Sequence, residues 1–123
     1  MEQASQLCRR GNRAVERVEI PPLTADRDAA RAMAHVVVVQ RGTIDELRRL
    51  RPPERLTDLV QKWIALLDQG ADELELMGAR LRAGARADAS EYGAKATTLL
   101  DRARELVAPL RVTSCRGPVL PTV

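Results

Sequence analysis

The sequence predicts an all-α protein, four helices packed as one antiparallel up-down-up-down bundle. Three observations carry that prediction. Two Pro-Pro pairs, Pro21-Pro22 and Pro52-Pro53, and a Gly-bearing break at Arg82-Ala83-Gly84-Ala85 cut the 123-residue chain into four segments. Proline cannot continue a helix but suits its first turn, and glycine suits the residue just past a helix end. The longer segments carry apolar residues at alternating steps of three and four. The apolar residues are nearly all Ala, Leu and Val, with no Phe, one Trp and one Tyr, a poor supply for a sandwich or barrel.

The expected helices cover about residues 3–19, 24–50, 53–83 and 86–110. The first offers a seam of Leu7, Gly11, Ala14 and Val18; the second offers Met33, Val37, Gln40, Ile44 and Leu47, with Thr24 as its N-cap. Val36-Val37-Val38-Val39 is strand-like locally, but no second strand is visible to pair with it and the helical period runs through it. The third segment is the most regular: Leu56, Val60, Trp63, Leu67, Gly70, Leu74, Met77 and Leu81. The fourth has Ala89, Tyr92, Ala96, Leu99, Ala103, Leu106 and Leu110, and Asp88 with Glu91 resembles a capping box that would mark its start. Seams of this kind belong to helices packed nearly antiparallel. Gly42 and Gly70 fall inside helices, where each marks either a close helix contact or a kink. The bundle domain is expected to fill residues 1–116, and 117–123 form an irregular tail holding Gly117, Pro118 and Pro121.

Composition narrows the function classes. The apolar fraction of 45% argues against general disorder, and no apolar run reaches the length of a membrane span. The start, Met1 to Ser5, lacks the basic and apolar regions of a signal peptide, so an exported form would carry its leader upstream of this chain. The net charge of +3 is modest because 17 acids are interspersed with 20 bases. It permits anionic partners without arguing for them.

Reversing helices place the start of the first and the end of the fourth at the same pole. Cys8 and Cys115, the two cysteines, are therefore candidates for one disulfide closing almost the whole chain, and such a bond implies an oxidising compartment. The alternative is two unrelated thiols in a cytoplasmic protein.

Cys8 followed by Asn12-Arg13-Ala14, the stretch Leu47-Arg48-Arg49-Leu50-Arg51-Pro52-Pro53, and the late Cys115 resemble a group of uncharacterised extracytoplasmic actinobacterial proteins. These are small helical domains with an early Cys, a central Leu-x-x-Leu-x-Pro-Pro and a final Cys. The resemblance covers about residues 7–116. It implies export and a disulfide and brings no activity or functional residues.

The usual catalytic constellations are missing. His35 is the single histidine and sits two residues from both Met33 and Val37, facing away from their seam. One histidine rules out the paired Glu-x-x-His of di-iron bundles. There is no Cys-x-x-Cys, no P-loop and no dinucleotide glycine fingerprint, so no metal, cofactor or catalytic residue is expected. Glu73 and Glu75 sit two apart, do not face each other, and read as a solvated face.

Two sets of residues remain as binding candidates. Gln40, Trp63 and Met77, on seams rich in Ala and Gly, are candidates for a cavity between helices; core packing is the simpler reading. Arg48, Arg49, Arg51, Arg55 and Arg111 are candidates for an anion site, because the topology gathers them at one pole with Arg9, Arg10 and Arg116. Glu2, Asp45, Glu46, Glu54, Asp58 and Glu105 offset them there. Nucleic acid is the weaker version of that site, since no aromatic side chains interleave with the charge. The sequence thus supports first a non-enzymatic exported bundle binding a protein or envelope component, as monomer or weak homodimer. The alternatives are a small-ligand carrier and a cytoplasmic anion-binding regulator.

Overall fold

A computed structural model describes residues 2–17 and 26–110. Among them are four α-helices and no strand: α1 Glu2–Glu16, α2 Asp26–Arg48, α3 Thr57–Arg82 and α4 Arg86–Val107. Short 3-10 turns at Glu54–Leu56 and Ala108–Leu110 precede α3 and follow α4. The all-α expectation holds, and Val36 to Val39 are helical. Both the Thr24 N-cap and Cys115 lie outside the described residues.

The boundaries shift for identifiable reasons. After Pro52-Pro53 the chain enters the 3-10 turn, and the α-helix proper starts only at Thr57. The capping-box start at Asp88 is corrected: α4 begins at Arg86, preceded by Ala85 with no side-chain cap. Asp88 sits instead in the first turn, where its charge complements the helix dipole. The break before α4 is a Schellman motif. Ala85 N–H donates to the Arg80 carbonyl (2.9 Å) and Gly84 N–H to the Leu81 carbonyl (3.0 Å). Gly84 takes φ of +75°, which an L side chain would resist.

The helix contacts run in opposite order along successive pairs. A Cβ at Gly11 of α1 would overlap the Thr43 hydroxyl of α2, and Arg10 reaches Glu46 at 3.6 Å. Gly78 of α3 lies against Met33 of α2, Gly70 of α3 against Leu100 of α4, and Gly93 of α4 against Met77. Gly70 is thus a close-contact glycine: a Cβ there would stand 3.1 Å from Leu100 Cδ2. Gly42 is not, since a Cβ there would meet nothing within 4 Å.

Two apolar clusters fill the interior. One joins Ala4 and Cys8 of α1, Ile44 and Leu47 of α2, Val60, Trp63 and Leu67 of α3, and Leu100, Ala103 and Val107 of α4. The other joins Val15, the α2 residues Ala29, Met33, Val36 and Val37, the α3 residues Leu74, Met77 and Leu81, and Ala89 and Ala96 of α4. The α3 seam from Val60 to Leu81 is buried at every predicted position. The α4 seam is buried at Ala89, Ala96 and Ala103, but its second half is turned: Leu100 and Val107 are buried where Leu99 and Leu106 were expected, and those two are half-exposed. In α1 the buried residues are Ala4, Cys8 and Val15, one step round from Leu7 and Ala14.

Candidate functional site

The outward strip between α2 and α3 concentrates the features that packing alone leaves unexplained. At its centre Arg41 of α2 meets three carboxylates of α3. Its Nη1 donates to Asp68 Oδ1 at 3.1 Å, and its Nη2 donates to Asp72 Oδ1 at 2.7 Å and to Glu75 Oε2 at 2.8 Å. Asp68, Asp72 and Glu75 stand four and three residues apart, on one stripe of the helix. Arg48 extends the network, donating to Asp68 Oδ2 at 3.1 Å and to Asp45 Oδ1 at 3.3 Å. The Arg41 pKa is raised still further above its ordinary value, first by the hydrogen bond to Asp72 and then by that to Glu75. The side chain therefore stays cationic at every working pH.

Beside this network lies a shallow groove of about 450 Å³ between the two helices, with Ala30, Ala34, Val37, Leu74, Gly78 and Ala79 among its lining residues and Arg41, Glu75 and Arg82 at its polar edges. Val38 lines it too and is 69% exposed, the most exposed large apolar residue described. The apolar surface of α2 therefore exceeds what its seam uses. The seam reading missed this because the Val36–Val39 run wraps more than half of the helix. Val36 and Val37 go inward, Val39 is half-buried, and Val38 is left outside.

The expected cavity residues do not converge. Trp63 is 0% exposed in the cluster near the α1 start, while Met77 is 1% exposed in the other cluster. Gln40 is half-buried and lines a separate cleft between α1 and α2, with Cys8, Gly11, Thr43, Ile44 and Leu100 among its neighbours. That cleft holds about 40 Å³, against the roughly 300–1,000 Å³ of small-molecule pockets. It is too small for a metabolite-sized ligand.

The arginine pole divides in two. Arg48 is engaged by Asp45 and Asp68, and Arg10 by Glu46. Arg49, Arg51 and Arg55 are exposed and form no ion pair among the described residues, and Arg111 lies outside them. His35 is exposed, as expected from its spacing. Glu75 is solvated and paired, but Glu73 departs from the solvated-face reading. It is half-buried, and its enclosed Oε2 has no hydrogen-bond partner within the protein. Tyr92 joins α3 to α4 at the surface, with Arg80 and Lys95 at 5.9 and 5.1 Å from its ring centre. Among the described residues no group of three His, Cys, Asp or Glu side chains is placed to hold a metal ion, and no helix is long and apolar enough to cross a membrane.

Comparison with protein-family models, with curated proteins and with solved structures gives no match to this chain.

Proposed function

We propose that this chain is a non-enzymatic, exported helical bundle that binds another polypeptide, an envelope component included, through the outward α2–α3 face. The observation that carries the reading is the groove of about 450 Å³ with Val38 69% exposed at its edge. An apolar floor with charged edges is the surface that receives an amphipathic helix or an apolar segment. Photo-crosslinking tests the reading. A photoreactive residue replacing Val38 in cells that make the protein should yield one discrete adduct, and the same residue at exposed Gln61 should yield none. No adduct at Val38, or the same smear at both positions, overturns the docking role.

The proposal includes an antiparallel up-down-up-down bundle forming one domain over residues 1–116, fastened by a Cys8–Cys115 disulfide. Its support is the cluster that unites Cys8, which is 5% exposed, with Val107 and Leu110, five residues before Cys115. In the chain-entropy view, closing a loop of about 100 residues stabilises by roughly 4.7 kcal/mol, less any strain. Thiol titration of the native, unreduced protein should count no free sulfhydryl; two free sulfhydryls would remove both the disulfide and the main argument for export.

A second reading keeps one specific support. Arg49, Arg51 and Arg55 form an exposed basic group around Pro52-Pro53 without carboxylate partners among the described residues. They suit an anionic surface or an acidic polypeptide better than a single small anion, since nothing encloses them.

A further inference from the structure

Resting on the reading that this face docks a polypeptide, we infer that its partner is a second copy of the chain, with α2 laid antiparallel on α2 about a two-fold axis at Val38. The outward stripe of α2 is Arg27, Arg31, Ala34, Val38, Gly42 and Asp45, and each of these residues is exposed. Its pattern is self-complementary. In an antiparallel pair centred on Val38, residues whose numbers are equally far from 38 lie at the same level. Arg31 then lies level with Asp45 of the second copy, seven residues either side of the centre, and the two-fold repeats that opposite-charge pair. Ala34 lies level with Gly42 of the second copy, four residues either side. These small residues flank Val38 and let two helix backbones approach while the two valine side chains meet.

Gly42 is the second strand of evidence. It stands mid-helix, exposed, where a Cβ would meet nothing within 4 Å, so no packing within one chain explains the most flexible residue at a helical site. A second backbone at that level does explain it. Arg31 forms no ion pair among the described residues, and Asp45 holds only the exposed contact to Arg48 at 3.3 Å. The same register sets Arg27 level with Arg49 of the second copy at each end. That like-charge contact weakens the association and makes it reversible.

Sedimentation equilibrium of the full chain, in low salt and from about 10 μM to about 1 mM, tests the inference. The wild type should pass from the 13.6 kDa monomer to a dimer as concentration rises. Arg31→Glu should raise the dimer Kd by about tenfold or more, since two pairs are reversed at once. Arg31→Glu with Asp45→Arg should return it to within about threefold of wild type, and Arg49→Glu should tighten it. Gly42→Leu should weaken the dimer while leaving the far-UV circular dichroism of the monomer unchanged. A monomer at every concentration, or a dimer indifferent to Arg31, Gly42 and Arg49, overturns the inference. Failure here and failure of the docking role are separable. A monomeric protein that still gives a discrete Val38 adduct with a different polypeptide keeps the role and loses the self-association, whereas no adduct of any mass removes the role.

Discussion

Replacing Trp63 with alanine is expected to lower the unfolding free energy by about 3–5 kcal/mol. Trp63 is the largest of the fully enclosed side chains, at 0% exposure, and it sits where all four helices contribute to one cluster. Ala4, Cys8, Ile44, Leu47, Ala103 and Val107 belong to that cluster, and several of them are too small to collapse into the space an indole leaves. Domains of this size are held by roughly 5–15 kcal/mol in total, so the variant should be partly unfolded at physiological temperature. The conservative change separates packing from polarity. Trp63 Nε1–H is buried and meets no acceptor within the protein, and an unmet buried donor costs about 1–3 kcal/mol. Phenylalanine deletes that donor and leaves a much smaller void. Trp63→Phe should therefore cost under about 1.5 kcal/mol, because the two terms oppose. Urea unfolding followed by far-UV circular dichroism measures both variants without relying on the lost fluorophore. Equal losses for Ala and Phe would mean that the indole nitrogen, and not its volume, holds the site.

Trp63 is legible as a core residue because of the seam on which it stands. A seam in which nearly every position is large and apolar, as on α3, fixes the buried face by itself, because no rotation of the helix buries as much. The α4 seam is diluted with alanines at 89, 96 and 103, and alanine tolerates either side of the stripe. A turn of one residue, from Leu99 and Leu106 to Leu100 and Val107, then costs little until Gly70 opposes Leu100 and makes the choice. The α1 stripe slipped in the same way, since Leu7 and Cys8 are both acceptable core residues. The break at Gly84 was legible because its signal is conformational: a residue at φ +75° is a requirement of the backbone, read from one glycine. The same break gave the start of α4 at residue 86; the alternative start at Asp88 failed, since Asp88 and Glu91 form a local pattern that the preceding Schellman motif overrides.

The candidate site was less legible than the fold. Arg48 is an anion-site candidate in the sequence because the topology gathers arginines at one pole, yet Asp68, twenty residues away, takes one of its nitrogens. Arg41 carries no distinguishing signal of its own in the sequence, although its partners Asp68, Asp72 and Glu75 form a visible stripe. A charge stripe on one helix says that something basic can lie opposite. Only the register between α2 and α3, set by Met33 against Gly78, decides which arginine that is. Val38 was hidden for a related reason. Four successive valines fit any helical face, so the sequence could not say which one would be left outside.

That register dependence makes Arg41 the sharper test of the surface. Arg41→Met should lower stability by about 1.5–2.5 kcal/mol at low ionic strength, built from two contributions. The first is the loss of three charge-assisted contacts at 2.7 to 3.1 Å around a side chain that is 34% exposed, each worth well under about 1 kcal/mol once solvent screening is counted. The second is what remains: Asp68, Asp72 and Glu75 repel one another at helical spacings of four and three, at about 0.2–0.5 kcal/mol per pair. Both are screened, so the loss should fall by about half between 0.05 and 1 M salt, where the Debye length shrinks from roughly 14 to 3 Å. Arg41→Lys should recover only part, because one ammonium cannot hold three carboxylates in the geometry of the guanidinium fork. The arginine itself sets no pH limit. Its pKa is raised on folding, so its stabilising effect is complete below its unfolded value and would fade only as pH rises beyond the alkaline extreme. Chemical denaturation at two salt concentrations reads these effects directly. A loss unchanged by salt would mean that the charge of Arg41 is not what stabilises the α2–α3 pair, and the triple carboxylate contact would then be incidental to stability.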